Sequence, residues 1–274
     1  MKLCRRATEL AGYRGTVGFV PTMGALHEGH LSLVKKCRET CDTTVVSIFV
    51  NPTQFNDPKD LQNYPRTEAQ DLELLAEAGV DFVFAPTVEE VYPEPDTRCF
   101  DFGGLDRIME GEHRPGHFNG VGQVVSRLFE VVKPHKAFFG EKDFQQLAII
   151  RYMVAQTGLP IEIVGCPIVR DRDGLARSSR NMLLSPEHRA AAPRIYAVLS
   201  KAVETLRGRV PVTEAKRIIA EQIDAEPLLK TEYVEIASAK TLSPATGWGE
   251  RIGDLRCFVA VHAGPVRLID NIAI

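Results

Sequence analysis

The sequence predicts an α/β fold: a parallel sheet with helices on both faces, followed by a smaller α+β domain. Three observations carry this expectation. Short apolar runs alternate with stretches of helical spacing from residue 16 to about residue 164. The runs have the length and β-branched content of buried parallel strands. Beyond residue 170 the order changes to helices followed by adjacent strands.

Thr16 to Val20 is the first strand, meeting Pro21, and helical spacing follows from Gly29 to about Thr40 through Leu31, Val34 and Cys37. Val45 to Val50 is a second buried strand, ending at Asn51-Pro52. Thr67 to Ala78 reads as a helix with Leu72, Leu75 and Ala76 on one face, stopped by Gly79 before the strand Val80 to Ala85. From Glu110 to Gly122 the composition turns to Gly, His, Pro and Arg, which reads as a loop. A helical stripe then runs through Val124, Val125, Leu128, Phe129 and Val132. Lys136 to Phe139 is a strand, Phe144 to Gln156 a helix and Ile161 to Val164 a further strand. These units make a Rossmann-like sheet over residues 1–168. Residues 169–274 form the smaller domain, with helices over about Glu187 to Arg207 and Val212 to Ile223. Strands are expected at Thr231 to Ile236, Cys257 to His262 and Val266 to Ile272, in an antiparallel sheet.

Composition excludes several classes. Of 274 residues, 44% are hydrophobic and 25% charged, which is too apolar for disorder. Thirty-three Lys and Arg against 36 Asp and Glu leave a net charge of −3, with no run of like charge to follow a nucleic-acid backbone. No apolar stretch approaches the roughly 20 residues that span a bilayer. Lys2, Arg5 and Arg6 are followed by Gly12 and Tyr13 rather than by a signal-peptide core, so a cytoplasmic protein is expected. The six cysteines are scattered and read as reduced thiols. Cys37 and Cys41 share a helix face but lack the further ligands a zinc site needs.

In a parallel sheet the turns after the strands are the place for a ligand. The first, Pro21 to His30, sets two imidazoles three residues apart around Gly29 at a helix start. Free backbone N–H groups and two imidazole donors there suit a polyphosphate. No GxxxxGK[ST] or GxGxxG is present, so P-loop and dinucleotide readings fall. Gly140-Glu141-Lys142-Asp143 places a cation beside carboxylates after a strand, and Arg177-Ser178-Ser179-Arg180 sets two hydroxyls between two guanidiniums. A metal site at His113 and His117 is a weaker reading, because Pro115 interrupts the helical face it would need.

Seven segments together resemble the pantothenate synthetase family, also called pantoate:beta-alanine ligases. They are PTMGALHEGH at 21–30, SIFVNPTQF at 47–55, YPRT at 64–67, RPGHFNGV at 114–121, FFGEKDFQQL at 138–147, DGLARSSRN at 173–181 and RLIDN at 267–271. HxGH alone marks only the broader nucleotidylyltransferase superfamily. The resemblance implies that ATP and (R)-pantoate form a bound pantoyl adenylate with loss of pyrophosphate, and that beta-alanine then attacks to give pantothenate and AMP. It also implies Mg2+ accompanying ATP, with no metal ligand assigned among the protein's residues, and a homodimer; the smaller domain, which offers little recognisable chemistry beyond Val169 and the SSR segment, is expected to act as lid and interface. ATP is assigned to Met23, Gly24, Ala25, Leu26, His27, Glu28, Gly29, His30, Gly140, Glu141, Lys142, Asp143, Val169, Arg177, Ser178, Ser179 and Arg180. Catalytic roles fall to His30, His27, Lys142 and Arg180. Pantoate is assigned to Gln54 and Gln146, and beta-alanine to Gln54, with Phe55 and Met23 as apolar walls. The competing reading is a nucleotidylyltransferase that releases its adenylylated product. Arg177 departs from the family pattern, which has an apolar residue before SSR, and a backbone contact with its side chain in solvent is expected there. Either the loop at 114–120 or movement of the smaller domain is expected to keep water from the adenylate.

Overall fold

A computed structural model describes residues 1–249, 251 and 253–274. The chain divides into two compact units, Met1–Pro167 and Ile168–Ile274. The first contains six strands: β1 (Lys2–Cys4), β2 (Val17–Thr22), β3 (Thr43–Ile48), β4 (Phe82–Phe84), β5 (Lys136–Gly140) and β6 (Glu162–Cys166). They form one sheet in the order β1-β4-β3-β2-β5-β6, and every pair is parallel. Its larger helices are α1 (Glu28–Thr40), α3 (Glu68–Glu77), α6 (His117–Val132) and α7 (Phe144–Thr157), with the shorter α2 (Pro58–Asn63), α4 (Val88–Val91) and α5 (Glu110–His113) between them.

Alternation along the strands builds two cores. Phe19, Val45, Ala137 and Phe139 pack with α6 and α7 residues such as Val125, Phe129 and Ile150. Their neighbours Val20, Val46 and Phe138 face the other way and pack with Leu33, Val34 and Cys37 of α1 and Leu75 of α3. Side chains on a strand point alternately to opposite faces, so consecutive apolar residues require cover on both.

Strand order places the first crevice. From β2 the chain steps outward through β3 and β4, then returns to add β5 and β6 on the other side of β2. The connections therefore diverge between β2 and β5, the topological switch point at which open α/β sheets bind ligands. Turns after β3, β2 and β5 leave the same edge of three neighbouring strands.

The second unit holds α8 (Pro186–Ala191), α9 (Arg194–Thr205), α10 (Val212–Asp224) and the strands β7 (Leu229–Ser238), β8 (Leu255–Ala263) and β9 (Val266–Ala273). These strands form an antiparallel sheet in the order β7-β8-β9. Leu199, Ile219, Ile223, Val259 and Val261 make its core.

Three expectations are corrected. The stretch from Glu110 to Gly122 is not a loop throughout: α5 and the start of α6 occupy it, leaving Arg114 to Gly116 between helices. Within α6, positions 120 and 122 are glycine because a side chain would not fit there. A Cβ on Gly120 would lie 2.4 Å from the Thr53 carbonyl oxygen, and one on Gly122 2.9 Å from the Phe100 ring. The helix expected over Glu187 to Arg207 is two helices, broken before Pro193, whose ring removes a backbone donor. The sheet also has an edge strand the periodicity missed, β1, too short at three residues to show alternation.

Candidate active site

The turn leaving β2 is held from beneath. Thr22 Oγ1 donates to the Ser47 carbonyl at 2.6 Å and accepts from Gly24 N–H at 3.2 Å. Gly24 and Ala25 then both take left-handed backbone, at φ 80° and 50°. Asp71 of α3, only 1% exposed, accepts from Ala25 N–H at 2.9 Å, Leu26 N–H at 2.8 Å and Thr67 Oγ1 at 3.1 Å.

His27 is the N-cap of α1, and the two histidines cap the helix reciprocally. His27 Nδ1 accepts from Gly29 N–H at 3.1 Å, and His30 Nδ1 accepts from His27 N–H at 3.4 Å. A backbone N–H can only donate, so each Nδ1 is unprotonated and each neutral ring carries its proton on Nε2. The rings lie 4.1 Å apart at 37°. Burial, then His27, then the Lys142 charge push the His30 pKa down to about 3. The pair is thus built as two neutral N–H donors, and His30 does not serve as an acid at neutral pH.

Lys142 and Asp143 lie in the single helical turn after β5, with Lys142 Nζ 3.8 Å from Asp143 Oδ1. The lysine side chain is 17% exposed and that of Asp143 49%. Lys142 is close enough for its charge to act on His30, so the turns after β2 and β5 meet as the strand order requires.

At the end of β3, Gln54 is buried and its amide is oriented by Asn51. Asn51 Oδ1 accepts from Tyr92 Oη at 2.9 Å and Thr53 Oγ1 at 3.1 Å. Its Nδ2 donates to Gln54 Oε1 at 3.1 Å and to the Gly120 carbonyl at 3.2 Å. Gln54 Nε2 is left facing Met23 Sδ at 3.3 Å, which joins the turns after β2 and β3. Phe55 stacks edge-on against Tyr64 at 5.7 Å. His117 donates from Nδ1 to the Gln54 carbonyl at 2.8 Å and takes the Arg114 Nη1 donor on Nε2 at 3.2 Å. Burial and the Arg114 charge hold the His117 pKa down at about 4. Both its nitrogens are spent within the protein, and among the described residues no group of three or more His, Cys, Asp and Glu is placed to hold a metal.

The two adjacent glutamines of α7 have different roles. Gln145 is buried, donating to the carbonyls of Leu105 and Ile108 at 2.7 and 2.8 Å and accepting from Glu110 N–H at 3.0 Å. The Gln146 side chain makes no hydrogen bond among the described residues and is partly exposed. It is the one available to a ligand.

Within the second unit, Arg177 N–H donates to the Val169 carbonyl at 2.9 Å, and Arg170 pairs with Ala176 in an antiparallel bridge. Ser178 caps the 3-10 helix Ser179–Leu183 by accepting from Arg180 N–H at 3.3 Å. The Arg177 side chain is not simply in solvent. Its Nε lies 2.6 Å from Asp171 Oδ1, in a carboxylate that also binds Arg189 at 3.0 Å. The side chain is 38% exposed, so it points outward as expected, but it is paired with a carboxylate rather than being free in solvent.

Residue-by-residue reading passed over Asn51, Asp71, Arg114 and Gln145. For Asn51, Asp71 and Gln145 the signal is polarity combined with burial, and for Arg114 it is contact with His117 and the Gln54 carbonyl; neither is visible before the fold is known.

The model of the pantoate-beta-alanine ligase family matches residues 2–273. A pantothenate synthetase of Porphyromonas gingivalis is 54% identical over 259 residues, covering 94% of this chain and 92% of the relative. One from Bacteroides fragilis is 56% identical over 256 residues, covering 93% and 90%. The crystal structure of pantothenate synthetase from Thermus thermophilus superposes with a TM-score of 0.94 at 47% identity, over 100% of this chain and 99% of that one. A Francisella tularensis pantoate-beta-alanine ligase, complexed with beta-gamma ATP and beta-alanine, gives 0.82 at 34% identity, over 100% and 97%.

Proposed function

The chain belongs to the pantoate-beta-alanine ligase family, and from that premise we propose how its residues divide the reaction. The enzyme joins pantoate to beta-alanine in an ATP-dependent ligation. A carboxylate is a poor acyl donor, so ATP is spent on converting it to a mixed anhydride. A pantoate carboxylate oxygen attacks the α-phosphorus, and the bond to pyrophosphate breaks. The neutral amine of beta-alanine then attacks the activated carbonyl. The carbon–nitrogen bond forms, AMP leaves with the electron pair of the broken C–O bond, and the amine proton passes to solvent.

His27 and His30 donate from Nε2 to the α-phosphate as its charge grows, without having to be protonated first. Lys142 and Arg180 neutralise departing pyrophosphate. On the resemblance, Met23 through Gly29, Gly140 through Asp143, Val169 and Arg177 through Ser179 line the rest of the nucleotide. Gln146 and Gln54 bind the hydroxyls and carboxylate of pantoate between Met23 and Phe55, and Gln54 also borders beta-alanine. Magnesium suits this donor set. The ion takes one or two carboxylates and keeps phosphate oxygens and water, and Asp143, half-exposed beside Lys142, is a carboxylate of that kind. When bound it would screen charge on the phosphates.

The observation that carries this reading is the reciprocal histidine cap, which fixes both Nε2–H donors in one turn. We place the enzyme in the cytoplasm, a reading supported by six cysteines that all stand as thiols. No helix among the described residues is long and apolar enough to cross a membrane. A homodimer is proposed on the resemblance, and a lid and interface role for residues 169–274 on their lack of other recognisable chemistry; sedimentation of the purified enzyme tests the dimer.

Pyrophosphate release measured without beta-alanine tests the function. A ligase that retains its adenylate releases one equivalent per site and stops, and it makes AMP only when beta-alanine is added. Continuous release without the amine would indicate a nucleotidylyltransferase that lets its product go.

A further inference from the structure

We propose that Asp71 is a positioning residue for the adenylation step, holding the turn after β2 in the backbone conformation that aims the two histidines. The inference rests on the reading of His27 and His30 as donors to the nucleotide. Asp71 lies on α3, 44 residues along the chain from His27, and accepts from two main-chain N–H groups of the turn.

Two features of the turn call for an anchor. Gly24 and Ala25 are consecutive residues at positive φ, and an L-residue such as Ala25 has no preference for φ 50°. Such a conformation persists only where the surroundings over-determine it. The two N–H groups immediately after the kink, on Ala25 and Leu26, converge on one carboxylate, at 2.9 Å to Oδ2 and 2.8 Å to Oδ1. Each oxygen therefore takes one amide, a two-point grip that sets the direction of the chain as well as its position. Leu26 is followed directly by His27, the helix cap. A shift of the kink is thus transmitted to both imidazoles, because His27 and His30 are bonded to each other through the cap.

The same carboxylate polices residue 24. A Cβ there would lie 3.0 Å from Asp71 Oδ2 and 3.1 Å from Ile48 Cγ2, on top of the strain of φ 80°. Thr67 completes the arrangement by donating to Oδ1 from the residue that precedes α3. Asp71 makes these contacts buried at 1% exposure, so a lost acceptor is not replaced by water.

Asp71→Asn and Thr67→Val test the proposal, with pantoate-dependent exchange of labelled pyrophosphate into ATP as the readout. The first keeps the shape but turns an amide NH2 toward a backbone N–H. The second removes only the support on Oδ1. Misplacing a donor by about an ångström costs up to about 100-fold, so Asp71→Asn should lower the exchange kcat at least about tenfold. The KM for pantoate should stay within about twofold, at a temperature at which the variant is folded by circular dichroism. Thr67→Val should lower the same kcat by a smaller factor. A folded Asp71→Asn enzyme with unchanged kcat, or one whose loss lies in the pantoate KM, overturns the proposal. Should that variant not fold, an unchanged kcat in Thr67→Val overturns it. His30→Ala run in parallel separates the two levels. Loss in His30→Ala without loss in Asp71→Asn defeats only the anchor, whereas loss in neither defeats the reading of the histidines as well.

Discussion

Replacing His30 with alanine removes two things of unequal weight. The first is an Nε2–H donor to a phosphate whose charge peaks in the transition state. Loss of one such preorganised donor costs about 10²- to 10³-fold in rate, or roughly 3–4 kcal/mol. The second is the acceptor for His27 N–H, a long bond at 3.4 Å that contributes no more than about 1 kcal/mol to the helix start. In a chain of this size about 1 kcal/mol moves Tm by a few degrees. Rate and stability should therefore separate. Single-turnover formation of the adenylate, followed by rapid quench, should slow by at least about 100-fold, while the KM for ATP changes little because Lys142 and the nucleotide contacts proposed outside this turn remain. With its pKa held down at about 3, His30 is already neutral, so the wild-type rate should show no inflection from it above about pH 5. A variant that keeps its single-turnover rate within about threefold while losing many degrees of Tm would refute the donor role, since that pattern belongs to a residue that only packs the turn.

Gln146→Ala should raise the pantoate KM and leave beta-alanine dependence near normal, whereas Gln54→Ala should disturb both; steady-state kinetics with each substrate varied decides, and normal pantoate kinetics in both variants would refute the assignment. Arg177→Leu should leave the ATP KM within about threefold, below roughly 0.7 kcal/mol, because its guanidinium is already engaged by Asp171; a tenfold rise that shrinks with added salt would show a phosphate contact instead. His117 has its pKa lowered to about 4 in the folded protein, so the unfolded chain takes up that proton first as the pH falls. Stability is complete above about pH 6.5 and is lost as the pH drops toward 4, with about 2 kcal/mol gone by pH 5 from this residue, and urea unfolding at pH 7 and pH 5 should show a shallower acid loss in His117→Gln.

Much of the sheet was legible because its signals are local. Val45 to Val50 has the β-branched run of a buried strand, and His27 to His30 sits where a strand pattern gives way to a helical one. The elements that escaped lack a local signal. β1 is three residues long, and its neighbour in the sheet, β4, lies some 80 positions along the chain. The start of α6 reads as a loop because RPGHFNGV is rich in turn formers, yet Gly120 is there so that the helix can approach the Thr53 carbonyl. The candidate site divides in the same way. Residues that project polar groups from a turn, such as His27, His30 and Lys142, announce themselves by composition. Those that hold the turns in place, Asp71 and Asn51, look like ordinary surface polar residues until their partners, contributed by other parts of the chain, are brought to them by the fold. Arg177 shows the same limit: its partner Asp171 is only six positions away, but the bridge between Arg170 and Ala176 that brings them together is a property of the folded hairpin.

The order of activation is the central claim, and exchange of labelled pyrophosphate into ATP tests it most directly. Enzyme supplied with ATP, magnesium and pantoate should catalyse the exchange without beta-alanine, because the adenylate forms reversibly before the amine is needed. ATP and beta-alanine without pantoate should give none. Exchange that strictly required beta-alanine, with pantoate unable to support it alone, would contradict the account.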